Sequence, residues 1–224
     1  MLVLAAACLL WLAIHIGVSG TALRGQLVRR IGDAAFRGVF SIASVISLLL
    51  LVRAYRNSPM VALWDAPAWL IHTLALVMLL AFLLFVASIA GPNPTSAGQE
   101  KSVGRPATGV TRITRHPMNC AFALWALVHM IANGELSAEL FFGTFALTAL
   151  TGMPSIDRKL AARDPAAWAS LAATTSILPF GAILAGRNKL ALGEIRWFVW
   201  VGGVALWAAM LHFHQYLIGV PALR

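Results

Sequence analysis

Pro67-Ala-Trp-Leu-Ile-His-Thr-Leu-Ala-Leu-Val-Met-Leu-Leu-Ala-Phe-Leu-Leu-Phe-Val-Ala-Ser-Ile-Ala90 runs from a proline to the break at Gly91-Pro92 without one charged side chain. Roughly 20 apolar residues in a helix cross the ~30 Å of bilayer hydrocarbon, so this stretch reads as a transmembrane helix. The rest of the chain agrees. It is 60% hydrophobic and 11% charged, more apolar surface than a soluble domain of this size can hide. Working outward, further apolar segments lie at Leu2 to Gly20, Phe36 to Val52, Met118 to Ala132, Leu140 to Gly152 and Ile195 to Ile218. The expectation is an all-α membrane protein, a bundle of about six transmembrane helices in a single domain over residues 1–224. The fourth and fifth segments are short and are expected to be little tilted, extended into their flanks, or paired as a tight hairpin through Asn133-Gly134-Glu135.

Lys and Arg alternate between loops. Arg24, Arg29, Arg30 and Arg37 follow the first segment, Lys101, Arg105, Arg112 and Arg115 the third, and Arg158, Lys159, Arg163, Arg187, Lys189 and Arg196 the fifth. Only Arg53, Arg56 and Arg224 fall in the other set. Because positive loops stay cytoplasmic, both termini are expected on the periplasmic side of a bacterial inner membrane. The net charge of +9 then reflects topology and attraction to anionic headgroups, making membrane lipids the expected partners. Spread over three loops, it does not form a nucleic-acid surface. Val18-Ser19-Gly20 offers small residues after an apolar run, but no basic region precedes it and Trp11 and His15 interrupt it, so the first segment reads as a span rather than a cleaved signal. Cys8 and Cys120 read as small buried hydrophobes.

Two stretches are too polar for spans. Gly91 to Glu100 breaks the third segment and leads to Gly109-Val-Thr-Arg-Ile-Thr-Arg-His-Pro-Met118, which brings Arg112, Arg115 and His116 to the mouth of the fourth helix, with Pro117 suited to its first turn. Pro154 to Gly193 contains Asp157-Arg158-Lys159-Leu160 and a short amphipathic piece around Trp168, expected to lie at the membrane surface.

His15, His72 and His129 stand inside the apolar segments, where an ionisable side chain is a functional suspect by default. Interhelical hydrogen bonding, worth ~1 kcal/mol in bilayers, is the plain alternative. His72 and His212 suit hydrogen-bonded packing, and His214 suits an interface with Trp and Tyr anchors. His116 suits helix capping or the binding of an anion.

His15-Ile-Gly-Val-Ser-Gly-Thr-Ala-Leu-Arg24, Ile31-Gly32, Phe36-Arg37, Arg112-Ile-Thr-Arg-His-Pro117, Trp125-x-x-x-His129, Asp157-Arg158-Lys159-Leu160 and Thr175-Ser-x-x-Pro-Phe180 together resemble the NnrU family, which includes plant 15-cis-zeta-carotene isomerase. The resemblance covers nearly the whole chain. It implies a polytopic protein carrying haem b, with iron ligands at His15 and His129, and redox-gated cis-trans isomerisation of a polyene, a hydrophobic small-molecule substrate. Where the plant enzyme has a cysteine three residues before its second ligand, this chain has Ala126; where it has a histidine in its second loop, this chain has Asn57-Ser58. Haem also needs cationic groups for its propionates, for which Arg112, Arg115, His116 and Arg24 are the candidates. Counting along the helices, His15 lies ~20 Å from the outer face and His129 ~18 Å from the inner one. His72 matches the depth of His129 more closely and is the reserve ligand. Two other classes stay open. Gly109 to Pro117 also resembles, more distantly, the isoprenylcysteine carboxyl methyltransferases, in which an Arg-His-Pro motif helps hold S-adenosylmethionine and paired glutamates follow; here Asp157-Arg158 stands in their place. The other is a non-catalytic haem protein tied to nitrogen-oxide metabolism.

Overall fold

A computed structural model of the chain describes residues 1–96, 98, 99 and 102–223; Ala97, Glu100, Lys101 and Arg224 lie outside the described residues. The first helix, α1 (Leu2–Leu12), passes into a π-helical turn, Ala13–Val18, in which Ser19 N–H reaches back five residues to the Ile14 carbonyl at 3.1 Å. A wider turn of this kind re-aims the side chains it carries, and His15 is one of them. At Gly20 a Cβ would strike the Ile16 carbonyl, so only glycine fits the break. The axis then bends by 77° into α2 (Ala22–Ile31). Thr21 caps α2, its hydroxyl accepting from Leu23 N–H at 3.2 Å.

The long helices follow as α3 (Asp33–Arg56) and α4 (Ala68–Ala90), then, after the short α5 (Val110–Ile113), α6 (Pro117–Asn133) and α7 (Leu136–Arg163). Two small helices, α8 (Pro165–Thr174) and α9 (Gly181–Leu184), lead to α10 (Trp197–Ile218). This is an all-α membrane protein. Four described helices, α3, α4, α7 and α10, are long and apolar enough to cross a bilayer, and the bent pair α1–α2 passes the same test only when counted as one span. The remaining segment of the six expected is α6, whose 17 residues span only ~26 Å.

Of the three alternatives for the short segments the hairpin forms, with α7 also extended into its flanks, and its turn is pinned from outside. Gly134 sits at φ +65°, closing α6 in the left-handed conformation, and a Cβ there would collide with the Trp64 carbonyl. Its own carbonyl accepts from the N–H groups of Leu63 (2.8 Å) and Trp64 (3.2 Å), while Leu136 N–H donates to Val61 at 2.9 Å and the Trp64 indole to Ile131 at 3.0 Å. The α3–α4 connection and the α6–α7 turn therefore share one end of the bundle, here the hairpin end; the arginine-rich loops form the other.

One expectation is corrected. The polar stretch does not start at Pro154, because α7 continues through that proline for nine more residues to Arg163. Asp157 is thus helical and buried, and α7 is the longest helix among the described residues. The piece around Trp168 forms α8, which packs through Leu171 and Trp168 on Leu160 and Val103.

In lipid, helix association relies on close van der Waals packing and small residues. The main core follows that rule: Ala7, Ala54, Ala126, Ala138 and Ala146 let α1, α3, α6 and α7 approach, and Leu4, Trp11, Leu51, Phe141 and Phe142 fill the remaining space. Trp11 Nε1 donates to the Thr148 hydroxyl at 3.0 Å, tying α1 to α7, and Trp207 Nε1 to the Ala75 carbonyl at 2.7 Å, tying α10 to α4.

Candidate functional site

Chemistry-bearing residues gather at both ends of the bundle. At the arginine-rich end, Thr114 is extended and buried, its hydroxyl donating to the Ile177 carbonyl at 2.8 Å. This anchor delivers Arg115 and His116 to α7 just before Pro117 starts α6. Asp157 receives both. Its Oδ2 accepts from Arg115 Nε (3.0 Å) and Nη2 (2.6 Å), and its Oδ1 from His116 Nε2 (2.7 Å). Trp168 lies beneath the Arg115 guanidinium, 5.2 Å from ring centre to Cζ. His116 is 1% exposed, and its Nδ1 is buried without a hydrogen-bond partner.

Arg112 is held equally firmly. Its guanidinium forks onto Glu194 at 2.7 and 2.8 Å and donates to Asn188 at 2.7 Å, while Gly109 N–H donates to Glu194 at 2.8 Å. The Arg112 hydrogen bonds, helped by the Gly109 N–H, hold the Glu194 carboxyl down at about 2, and the carboxylate in turn raises Arg112. Next to this framework lies a cavity of about 480 Å³ lined by Ser88, Thr95, Gln99, Met118, Asn119 and Ile156, a volume suited to a small molecule.

Arg24, the fourth candidate for propionates, sits apart from these three. It donates to Asp33 at 3.2 Å, lies over Phe36, and shares Asp33 with Arg37. Arg24 and Arg158 both act electrostatically on Lys159, so cationic charge accumulates around Lys159, near the end of α7.

His15 lies near that end, inside the π-helical turn. Its Nδ1 meets the Trp11 carbonyl at 3.0 Å, its ring stacks on Trp11 at 3.8 Å, and Phe40 packs edge-on. Nε2 is 3.4 Å from the Ser44 hydroxyl, whose proton is already directed to the Phe40 carbonyl at 2.7 Å. His129 lies four residues from the other end of α6. Its Nδ1 meets the Trp125 carbonyl at 2.8 Å, its ring stacks on Phe142 at 4.6 Å, and its near-parallel neighbour is His214, with centroids 6.5 Å apart. In the neutral form of His129 the Nδ1 contact to a carbonyl leaves Nε2 without the proton, the form that binds a metal; at His15 both ring nitrogens face oxygen acceptors.

The structure does not bring His15 and His129 into contact. Trp11, Phe145 and Trp125 stand in series between them, at successive centroid separations of 5.1 and 5.5 Å. Nor does it bring Arg112, Arg115 and His116 to His129, since 13 residues of α6 separate His116 from it, ~20 Å along the axis. His72 is exposed on α4, bonded through Nδ1 to the Ala68 carbonyl at 2.6 Å. No cluster of three or more His, Cys, Asp or Glu side chains able to hold a metal exists among the described residues. The carboxylate role of Asp157 and the pairing of His214 with His129 were not legible as such. The first depends on α7 continuing through Pro154 and the second on how α10 is seated; only the repeated Trp-x-x-x-His spacing at Trp11–His15 and Trp125–His129 hinted at similar settings for two of the histidines.

Comparison with known proteins gives this geometry a context. Over 198 residues, 85% of this chain, it is 28% identical to the chloroplast 15-cis-zeta-carotene isomerase of Arabidopsis thaliana, covering 53% of that protein. Over 83 residues, 37% of this chain, it is 37% identical to the 15-cis-zeta-carotene isomerase of Zea mays, covering 23% of it. The chain thus spans about half the length of the first relative and less of the second. No solved structure matches it. The NnrU protein family model matches residues 3–222, a stretch that takes in both bundle ends, the Arg-His-Pro entrance and every histidine discussed, and the chain belongs to the NnrU family.

Proposed function

We propose that this protein is a haem b-carrying membrane isomerase that acts on the double bonds of a hydrophobic polyene, seated in the bacterial inner membrane with both termini periplasmic. The observation that carries the haem assignment is the setting of His129. Its Nδ1 is turned to the Trp125 carbonyl, Phe142 braces its face, and Nε2 has no hydrogen-bond partner among the described residues. An unprotonated imidazole nitrogen held this way in apolar surroundings suits haem iron.

Bound haem would supply an iron centre able to exchange charge with a conjugated chain and so lower the barrier to rotation about a double bond. The chain's own residues perform the remaining tasks. The Trp125 carbonyl and Phe142 fix the tautomer and plane of His129. Trp125, Phe145 and Trp11 form a continuous aromatic wall that keeps water from the centre of the bundle and offers stacking surfaces to a polyene. The polyene assignment rests on the relatives named above.

The methyltransferase alternative has less support. Arg115, His116 and Asp157 are already bound to one another, and Arg112 is bound to Glu194, so none of these charges is spare for a cofactor's carboxylate or sulfonium. A non-catalytic haem protein would share the His129 setting and differ only in lacking turnover.

The test is the absorption spectrum of protein purified in mild detergent from haem-sufficient cells, oxidised and then reduced, together with chromatography of a 15-cis polyene before and after incubation with the reduced protein. A haem spectrum lost on His129→Ala and a changed isomer ratio are expected. A spectrum without turnover would leave the non-catalytic haem protein, and well-folded colourless protein would remove the cofactor.

A further inference from the structure

A charge withdrawn from water is normally paired. Lys159, near the end of α7, is half-buried and has no hydrogen bond or ion pair among the described residues. Its electrostatic neighbours are themselves cations, Arg24 and Arg158. Other cations at this end of the bundle are committed to protein acceptors: Arg112 to Glu194 and Asn188, Arg115 to Asp157, and Arg187 to the carbonyls of Ala172, Ala173 and Thr175.

The cationic neighbourhood extends to α3. Asp33, its first residue, accepts from Arg24 at 3.2 Å and from Arg37 at 2.7 Å, and Arg163 acts on it electrostatically. Five cations, Arg24, Arg37, Arg158, Lys159 and Arg163, therefore share one carboxylate, an excess of four positive charges. The other carboxylates along this part of the chain are taken: Asp157 by Arg115 and His116, and Asp164 by the Ala167 N–H at the start of α8.

The backbone sets this cluster at headgroup level. Helix α2 leaves α1 at 77°, and Leu23, Leu27 and Ile31, spaced by four, share one face of it. Leu23 and Ile31 are 41% and 48% exposed, as suits a helix lying in the membrane interface. On the side of α3 that carries Arg37, two and three turns further into the bundle, Val45 and Leu48 are exposed and offer acyl chains an apolar track.

We infer that Lys159, Arg24, Arg158, Arg163 and Arg37 form a binding site for the headgroup of an anionic phospholipid carrying two phosphates, at the bundle end opposite His129. Basic pockets between helices on the cytoplasmic side take headgroups of this kind, and an excess of four charges is more than one phosphodiester balances.

The test is a titration of purified full-length protein in a neutral detergent, with bound lipid counted by native mass spectrometry and folding checked by size-exclusion elution. Neutral micelles present no anionic surface, so only cations that touch the lipid matter. The probes are diphosphatidylglycerol, phosphatidylglycerol, phosphatidylcholine and inorganic pyrophosphate. Diphosphatidylglycerol is expected to bind most tightly, phosphatidylglycerol more weakly, and the other two not measurably. Lys159→Gln with Arg24→Gln is expected to weaken diphosphatidylglycerol binding ~25-fold, roughly fivefold for each cation beside the headgroup, while Lys159→Arg retains it. Arg158 and Arg163 are exposed, so Arg158→Gln with Arg163→Gln should weaken binding at least ~5-fold with the fold undisturbed. Arg29→Gln with Arg30→Gln, on α2 but outside the cluster, should change it less than ~2-fold. Equal losses in the Arg29/Arg30 pair and the cluster pairs, or no loss in either cluster pair, overturn the site. Phosphatidylcholine binding as tightly as diphosphatidylglycerol overturns the headgroup assignment, and pyrophosphate displacing the lipid at equal concentration replaces it with a soluble anion.

Discussion

Asp157 Oδ1 lies 2.7 Å from His116 Nε2, joining the last turns of α7 to the residue that precedes α6 across 41 positions. The same carboxylate receives Arg115 through two guanidinium nitrogens. Asp157 and Arg115 are only 11% and 12% exposed, and the His116 side chain is 0% exposed. One carboxylate thus anchors two basic groups, and it does so where the chain turns from the loop into the bundle.

Removing that carboxylate should be costly. Asp157→Asn leaves the Arg115 charge buried without its partner, and breaking a buried pair from one side typically costs about 3–5 kcal/mol. Thermal unfolding in detergent should show a large fall in midpoint. The paired change Arg115→Met with Asp157→Leu should recover much of it, because no lone charge is left. A loss below about 1 kcal/mol for Asp157→Asn would mean that the cluster is not a structural anchor.

Acid should loosen the link between α5 and the start of α10. Arg112 and the Gly109 N–H hold Glu194 at about 2 in the folded protein, whereas an unfolded glutamate titrates near 4.3. The folded-state value is the depressed one, so the stabilisation is complete above the unfolded value and is lost as pH falls through that window towards about 2. Resistance of residues 185–196 to an acid protease should decline across that window in wild type. In Glu194→Gln it should already be reduced at about pH 5, just above that window, and change little on further acidification. A wild-type profile that is flat over the same range would show that the pair contributes nothing there.

Gly134→Ala should destabilise the hairpin end. The residue stands at φ +65°, and its new Cβ would meet the Trp64 carbonyl. A left-handed backbone costs a residue with a Cβ about 1–2 kcal/mol, before the Trp64 loop is displaced. Faster proteolysis at residues 61–66 with unchanged protection of α3 is the expected pattern. Equal resistance in mutant and wild type would show that the loop is held independently of the turn.

Topology can be read with reporter fusions. Fusions after Arg30 and after Arg163 should report cytoplasm, and fusions at Asn57 and at Glu135 should report periplasm. A cytoplasmic signal at Glu135 would contradict the proposed orientation of α6 and α7.

Saturable S-adenosylmethionine binding should be absent from calorimetry of the detergent-purified protein, because Arg115, His116 and Asp157 already satisfy one another. Micromolar binding abolished by Arg115→Ala would revive the methyltransferase alternative.

The sequence by itself determined the solvent of this protein and the class of its fold. A charge-free run such as Pro67 to Ala90 has one stable solution in hydrocarbon, a helix that satisfies its own backbone, and Asn133-Gly134-Glu135 marked the hairpin because few residues besides glycine accept φ +65° at a helix end. The membership of the family was also legible, since its motifs are strings of residues in order. Only the tertiary structure decided which side chains share a site. Helix α7 runs through Pro154, so Asp157 reaches Arg115 and His116 instead of lying on a surface loop. The π-helical turn fixes the direction of His15, and the Trp11–Phe145–Trp125 series separates it from His129. The seating of α10 on α4 puts His214 beside His129. These outcomes depend on helix rotation and on how neighbouring helices pack, and an apolar segment in lipid carries little record of either, because its faces differ so little in hydrophobicity.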